Sequence, residues 1–247
     1  MNTQLIATKI KKIEEVDSTN TALKTLSQQG DLPEGFCLTT DYQTSGRGQY
    51  GKQWDAEKGK NLLMSVFLRP DFLPAGESYR LTMSVCLALL DLGRHFGAET
   101  QIKWPNDWLI GGKKLAGVLA ESTLKGSKME NCIVGIGINV ERQNFKHPQA
   151  VSMEDAMRTK LDRDVVFKVL VEELNQRYLD LKHGLGDLQH REFNQSLYGR
   201  NEFVDVMQAG EKKKLRCLRV EVNGALKVEW ENGAIETLQH QAISFLL

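Results

Sequence analysis

Two Asn-Gly pairs, Asn223-Gly224 and Asn232-Gly233, fall between short strand-like runs near the C-terminal end of this chain. Asn-Gly flanked by alternating apolar residues signals a type I′ hairpin, whose two central residues both take positive φ. With Ala209-Gly210 they mark off Glu202–Gln208, Lys214–Val222, Ala225–Trp230 and Ala234–Leu238. The spacing predicts a small all-β unit over residues 197–247, beginning where the texture changes after Ser196. About 50 residues hold little core of their own, so this unit is expected to dock on residues 1–196.

Those 196 residues mix helices and strands. Asp17-Ser18-Thr19-Asn20, followed by Ala22, Leu23 and Leu26, reads as an N-capped helix running to a C′ glycine, Gly30. Tyr79–Leu92 reads as a long apolar helix stopped by Gly93, and Asp164–Lys182 as an amphipathic helix stopped by Gly184. Strand signals fall at Cys37–Thr40, Leu62–Leu68, Thr100–Trp104, Trp108–Ile110, Lys114–Glu121 and Cys132–Val140, the last a buried central strand. Gly111-Gly112 reads as a hairpin turn. Without regular β-α-β alternation, the expected class is α+β with a mixed or antiparallel sheet.

Thirty-two basic residues balance thirty-two acidic ones. A general nucleic-acid binder carries a basic excess, so no nucleic-acid partner is expected. The apolar stretch near Val85–Leu92 is too short for a bilayer, and Met1-Asn2-Thr3-Gln4 opens onto no signal-like apolar region. The expectation is a cytoplasmic protein with no membrane partner. Cys37, Cys86, Cys132 and Cys217 form no CxxC pair and read as buried free thiols. The histidines show neither HExxH nor HxxxH, so no metal held by the protein is expected.

Three stretches carry chemistry. Gln43-Thr44-Ser45-Gly46-Arg47-Gly48-Gln49-Tyr50-Gly51-Lys52 combines glycines and cations in a segment able to wrap an anion with backbone N–H groups; a solvated surface loop is the other reading. Gly46 to Lys52 has P-loop spacing, but Gln53 replaces the Ser or Thr that holds Mg²⁺, and the following run is polar. Lys103-Trp104-Pro105-Asn106-Asp107 places polar groups on a turn past a strand, with Lys113 or Lys114 returning on the next; such a lysine can neutralise charge in acyl or phosphoryl transfer. A plain hairpin fits the same residues. Gly135 and Gly137 lie inside a strand, which marks close approach by a ligand or by packed backbone.

These motifs, in order, resemble the biotin–protein ligases. The resemblance rests on Asp17-Ser18-Thr19-Asn20, Gln43-Thr44-Ser45-Gly46-Arg47-Gly48, Lys103-Trp104-Pro105-Asn106-Asp107, Lys114-Leu115-Ala116-Gly117-Val118-Leu119 and Gly135-Ile136-Gly137-Ile138-Asn139. It implies an ATP-dependent ligase that activates biotin as biotinyl-5′-AMP and transfers it to a lysine of a biotin carboxyl carrier protein. Biotin, ATP and Mg²⁺ are the implied small molecules. Residues 1–196 would be the catalytic domain and 197–247 an SH3-like β-barrel, and a homodimer is compatible with the resemblance.

It implies site roles too. Ser18, Thr19, Asn20 and Gln43 would bind the ureido ring of biotin. Gly46, Arg47, Gly48 and Gln49 would form the loop over biotin and the phosphates, and Gly117 would admit biotin closely. Arg47, Trp54, Asn106, Lys114 and Asn139 would meet the nucleotide, with Trp54 stacked on adenine. Arg47, Lys114 and Asp107 would serve catalysis, Lys114 on the biotin carboxylate and Asp107 orienting the acceptor lysine. Gln49 and Tyr50 stand where family loops often carry more arginine. Some relatives carry an N-terminal DNA-binding domain; the short run before Asp17 predicts none here. Lipoate ligases, which share the fold, are expected to show a Gly-Gly-Gly motif and a His-Asp pair that this chain lacks.

Overall fold

Alternation along the strands decides which side of the sheet becomes core. In the computed structural model, which describes residues 4–247, the strands are β1 (Ile10–Val16), β2 (Cys37–Gln43), β3 (Asn61–Leu68), β4 (Gln101–Lys103), β5 (Asp107–Ile110), β6 (Lys113–Lys125) and β7 (Lys128–Asn139). Met1, Asn2 and Thr3 of the opening segment lie outside the described residues. The spatial order is β1-β2-β3-β7-β6-β5-β4. β1 and β2 run parallel and the other pairs antiparallel, so the sheet is mixed, as expected. β7 lies at its centre.

The helices are α1 (Thr19–Gln29), α2 (Tyr79–His95), α3 (Met153–Met157), α4 (Arg163–Lys182) and α5 (Gly186–Gln195). Met64, Val66, Val134, Ile136 and Ile138 face α2 and α4 in the main core. The alternate residues Phe67 and Ile133 face α1, where they pack with Leu23 and Leu38. That second cluster is short. Beyond it the same face presents Ser65, Gly135, Gly137 and Gly117, because Ser65 pairs with Gly135 and Gly137 with Gly117 across the sheet.

The tail forms an antiparallel sheet of β8 (Val204–Gln208), β9 (Glu211–Val220), β10 (Leu226–Trp230), β11 (Ile235–Leu238) and β12 (Ser244–Phe245), ordered β11-β10-β9-β8-β12. Val204, Val206, Leu215 and Val228 belong to the same buried cluster as α2 and α5. The tail is therefore docked. Trp104 Nε1 donates to Gly224 O at 2.8 Å, and Asn194 exchanges bonds with the Val220 backbone.

Four local expectations are corrected. The Asn-Gly pairs are not type I′ turns: only the glycines take positive φ, Gly224 at 89° and Gly233 at 83°. Each asparagine instead accepts, through Oδ1, the N–H two residues on, from Ala225 at 3.1 Å and Ala234 at 3.0 Å, and stays at negative φ. Ala209-Gly210 is the pair with both residues positive. Gly93 does not stop α2; it is buried inside the helix, where an added Cβ would meet Thr100 Oγ1 at 2.9 Å and Trp108 at 3.1 Å. Gly30 is extended, with φ −174°, rather than left-handed. The strand β1 and helices α3 and α5 give no clear periodic signal and are read from the structure alone.

Gly224 combines positive φ with a wall, since a Cβ there would lie 2.9 Å from the Tyr79 ring. Gly224→Ala is expected to lower stability by at least about 2 kcal/mol, read as a fall in the urea midpoint.

Candidate active site

The helix α1 enters the site with its N-terminus. Ser18 is its N-cap, yet the Ser18 side chain makes no capping bond. Thr19 and Asn20, both buried, sit above Ser65 of β3. Gln43 Oε1 accepts the Thr19 backbone N–H at 2.8 Å and the Thr19 hydroxyl at 3.0 Å. Ser65 Oγ lies 2.7 Å from Thr19 Oγ1 and 2.6 Å from Asn20 Oδ1. Two hydroxyl protons thus serve three short contacts, so this buried network is richer in acceptors than in donors. The structure brings Thr19, Asn20 and Gln43 together as the sequence implies and adds Ser65. A serine in the otherwise apolar run of β3 was the available signal.

The floor beneath is glycine. A Cβ on Gly135 would fall 2.3 Å from Asn20 Oδ1, and one on Gly137 2.6 Å from the Trp54 indole. One on Gly117 would meet Lys114 Nζ and Trp54, each at 3.3 Å. The order along this trough is therefore Asn20 over Gly135, Trp54 over Gly137, and Lys114 beside Gly117. Two residues along a strand span roughly 7 Å, which sets the scale between the neutral end and the cationic end.

The cationic end is held by a buried carboxylate. Asp107 lies between Lys114 Nζ and Lys103 Nζ, each 2.6 Å from one of its oxygens. Burial works against its charge, but the two ammonium groups prevail and hold its pKa below the ordinary carboxylate value. Both oxygens of Asp107 are engaged, one by Lys103 and the other by Lys114, and neither is left open to a further ammonium group in this structure. Lys103 is a site residue that the motif carried without being singled out.

The glycine loop is folded rather than open. Gly48 N–H donates to Lys52 O at 2.7 Å and Trp54 N–H to Gly46 O at 2.9 Å, closing a hairpin whose tip is Gln49–Gly51. Gly46 has no room for a side chain, with Trp54 O 2.4 Å from where its Cβ would be. Arg47 points to the α1 end: it pairs with Glu121 at 2.9 Å and approaches Thr21 at 3.3 Å. Glu121 also accepts from Asn20 Nδ2 at 2.8 Å. The structure therefore does not bring Arg47 and Lys114 together. Loop and α1 enclose an open cavity of about 600 Å³ lined by Ser18, Gly46, Arg47, Lys52, Leu119 and Glu121, within the range of small-ligand sites.

Trp54 lies on the glycine floor with Lys114 Nζ 5.4 Å from its ring centre, so that face is occupied. Its Nε1, like Gln49 Oε1, is buried without a partner. Such orphans call for a water or ligand group. Asn106 and Asn139 both bind backbone: Asn106 Nδ2 donates to Val118 O, and Asn139 Nδ2 to Lys114 O and Val151 O. They fix the segments that carry Asp107 and Lys114. The four cysteines are free and buried, and burial pushes the Cys37, Cys132 and Cys217 thiols up to about 12, which removes them as nucleophiles.

A mixed sheet with a helix layer on one face and a small antiparallel sheet docked beside it is a fold known from solved structures. The biotin protein ligase from Aquifex aeolicus in complex with biotin and ATP matches at TM-score 0.75 over 97% of this chain and 99% of that one, with 24% identity; that likeness shows the fold. The model of the biotin/lipoate A/B protein ligase family matches residues 13–139, which is 127 of 247 residues, and the chain belongs to that family. The bifunctional ligase/repressor BirA of Bacillus subtilis (strain 168) is 36% identical over 161 residues, 62% of this chain and 49% of the relative. The biotin–[acetyl-CoA-carboxylase] ligase of Mycobacterium tuberculosis is 31% identical over 176 residues, 69% of this chain and 64% of the relative. The chain thus spans about half the length of the BirA relatives it matches.

Two outcomes follow from this geometry. Gly137→Ala is expected to lift the Trp54 indole from the floor, shifting one indole N–H cross-peak of the four tryptophans in a ¹⁵N spectrum. Asp107→Asn is expected to cost about 2–4 kcal/mol at neutral pH, because two ammonium groups lose their partner. Since the folded pKa of Asp107 lies below its unfolded value, its contribution is present above about pH 4 and lost as pH falls through the lower value. The stability gap between wild type and Asp107→Asn, measured by urea titration, should therefore close on acidification.

Proposed function

We propose that the chain is an ATP-dependent biotin–protein ligase. The observation that carries this reading is the polarity of the trough: an acceptor-rich neutral network at one end, a lysine at the other, and a glycine floor between. A molecule with a urea at one end and a carboxylate at the other fits that gradient. The urea N–H groups meet Thr19, Asn20, Gln43 and Ser65, and the Ser18 hydroxyl stands free to join them. The carboxylate reaches Lys114. ATP and biotin are present together in the Aquifex structure by its own description.

The chemistry proceeds without an enzyme nucleophile. A biotin carboxylate oxygen attacks the α-phosphorus of ATP, the bond to the pyrophosphate oxygen breaks, and pyrophosphate leaves. Lys114 is positioned by Asp107 and screens the charge on the carboxylate and the α-phosphate. Arg47 exchanges Glu121 for an anionic group at low cost, because exposed pairs of this kind are worth about 0–1 kcal/mol. A carrier lysine amine then attacks the acyl carbon, AMP leaves, and an amide forms. The loop covers the adenylate and keeps water out.

Among the described residues, no three His, Cys, Asp or Glu side chains converge to hold a metal ion. The Mg²⁺ in this reading arrives with ATP as part of the substrate. Trp54, Asn106 and Asn139 border the nucleotide, Gln49 borders biotin, and Gly48 lets the loop backbone close. The five-stranded tail, residues 197–247, is taken as the SH3-like unit of such ligases.

The reading is tested by biotin-dependent exchange of labelled pyrophosphate into ATP, followed by mass gain on one lysine of an apo carrier domain. Exchange with biotin and none with lipoate is expected; the reverse overturns the choice of acid. Lys114→Met is expected to reduce exchange about 100-fold or more while leaving biotin binding measurable by calorimetry.

A further inference from the structure

The glycine loop and the C-terminal sheet meet at a polar contact outside the trough. Tyr50, at the loop tip with φ 56°, is half exposed, and its hydroxyl lies 2.7 Å from His240 Nδ1. The two rings stand edge to face, 6.1 Å apart. His240 Nε2 lies 3.1 Å from Gly224 O. A carbonyl only accepts, so Nε2 carries the proton, and Nδ1 is left with the lone pair that receives the Tyr50 O–H. Burial lowers the His240 pKa, which agrees with a neutral ring.

The imidazole is itself well fixed. Trp104 Nε1 donates to the same Gly224 O at 2.8 Å, and the Trp104 and Tyr79 rings pack around it at 5.2 and 5.7 Å. The Tyr79 hydroxyl donates to Pro105 O. The segment Trp104-Pro105 leads directly into Asn106 and Asp107. One carbonyl and one imidazole of the tail thus touch both the segment that carries Asp107 and the loop tip. The rest of the loop is held by backbone bonds at its base, from Thr44 N–H to Val16 O and Ser45 N–H to Asp17 O, by the Trp54 indole and by the exposed Arg47–Glu121 pair, none of which involves the Tyr50 tip.

We propose that His240 is a positioning residue: through Tyr50 it holds the tip of the glycine loop down over the trough, and so the C-terminal sheet sets how long an adenylate stays beneath the loop. This rests on the ligase reading for the identity of the bound molecule, but not for the tether itself. The tether acts on loop opening and makes no contact with reacting atoms.

The test uses the full chain with Tyr50→Phe, His240→Phe, their combination, and His240→Asn, whose Oδ1 takes the place of Nδ1. One readout is release of pre-formed biotinyl-adenylate after removal of ATP. The other is tryptic cleavage at Arg47 and Lys52 in ligand-free protein. Loss of one net hydrogen bond should speed both about five-fold in Tyr50→Phe and in His240→Phe. The double variant should be no faster than either single one, and His240→Asn should return near the wild-type rate. Urea midpoints guard against a folding defect; Tyr50→Phe deletes one half-exposed hydroxyl and should lower the midpoint by no more than the loss of that one bond. Wild-type rates in Tyr50→Phe, or a double variant whose effect is the product of the two single ones, would overturn the tether. A wild-type chain that forms no adenylate refutes the ligase reading, and cleavage then decides the tether by itself.

Discussion

The trough exists because three facing strand positions carry no side chain. On β7 Val134, Ile136 and Ile138 fill the main core, while Gly135 and Gly137 leave room on the opposite face for Asn20 and the Trp54 indole to lie against the backbone. One strand therefore builds the core and clears the site at once. A slip of one residue in its pairing would drive the aliphatic side chains into the trough and the glycines into the core. The register of the central strand and the shape of the site are the same fact, and any substitution that relaxes the one distorts the other.

Electrostatics divides that trough into unlike halves. At the α1 end, buried hydroxyls and carboxamides bond to one another with little net charge. At the far end, Asp107 lies between two lysines. A buried carboxylate with one ammonium partner would be neutralised overall; with two it leaves an excess positive charge near Lys114. That excess is what an incoming carboxylate or phosphate meets. The acid thus lends geometry to Lys114 without cancelling its pull on a substrate.

Much of this was legible in the residues. The mixed class, the central Cys132–Val140 strand and the Gly111-Gly112 hairpin follow from periodicity and turn chemistry, and the Thr19–Asn20–Gln43 grouping from the family resemblance alone. The misses have physical causes. Gly93 reads as a helix stop because a glycine signals backbone freedom, whereas here it signals a missing side chain against Trp108. The Asn-Gly pairs read as type I′ turns because the dipeptide does not reveal that each Oδ1 turns back on the chain. Ile10–Val16 hides because it is an edge strand whose charged residues are exposed. The partners of Arg47 and Tyr50, Glu121 and His240, are 74 and 190 residues away, a separation no local pattern can bridge.

The loop shows why such long contacts matter. Its hairpin is closed by its own backbone bonds, so its shape does not depend on its contacts with the rest of the chain. Beyond the backbone bonds of Thr44 and Ser45 to Val16 O and Asp17 O at its base, its position is set by a few side-chain contacts: an indole on glycine, an exposed ion pair and one hydrogen bond to the tail. None is strong by itself: the exposed ion pair is worth about 0–1 kcal/mol and a net hydrogen bond about 1 kcal/mol. A lid fastened by buried apolar area would exclude water better and admit substrate worse. Fastening a rigid hairpin by weak contacts at both ends is the arrangement that a cover over a ligand site requires.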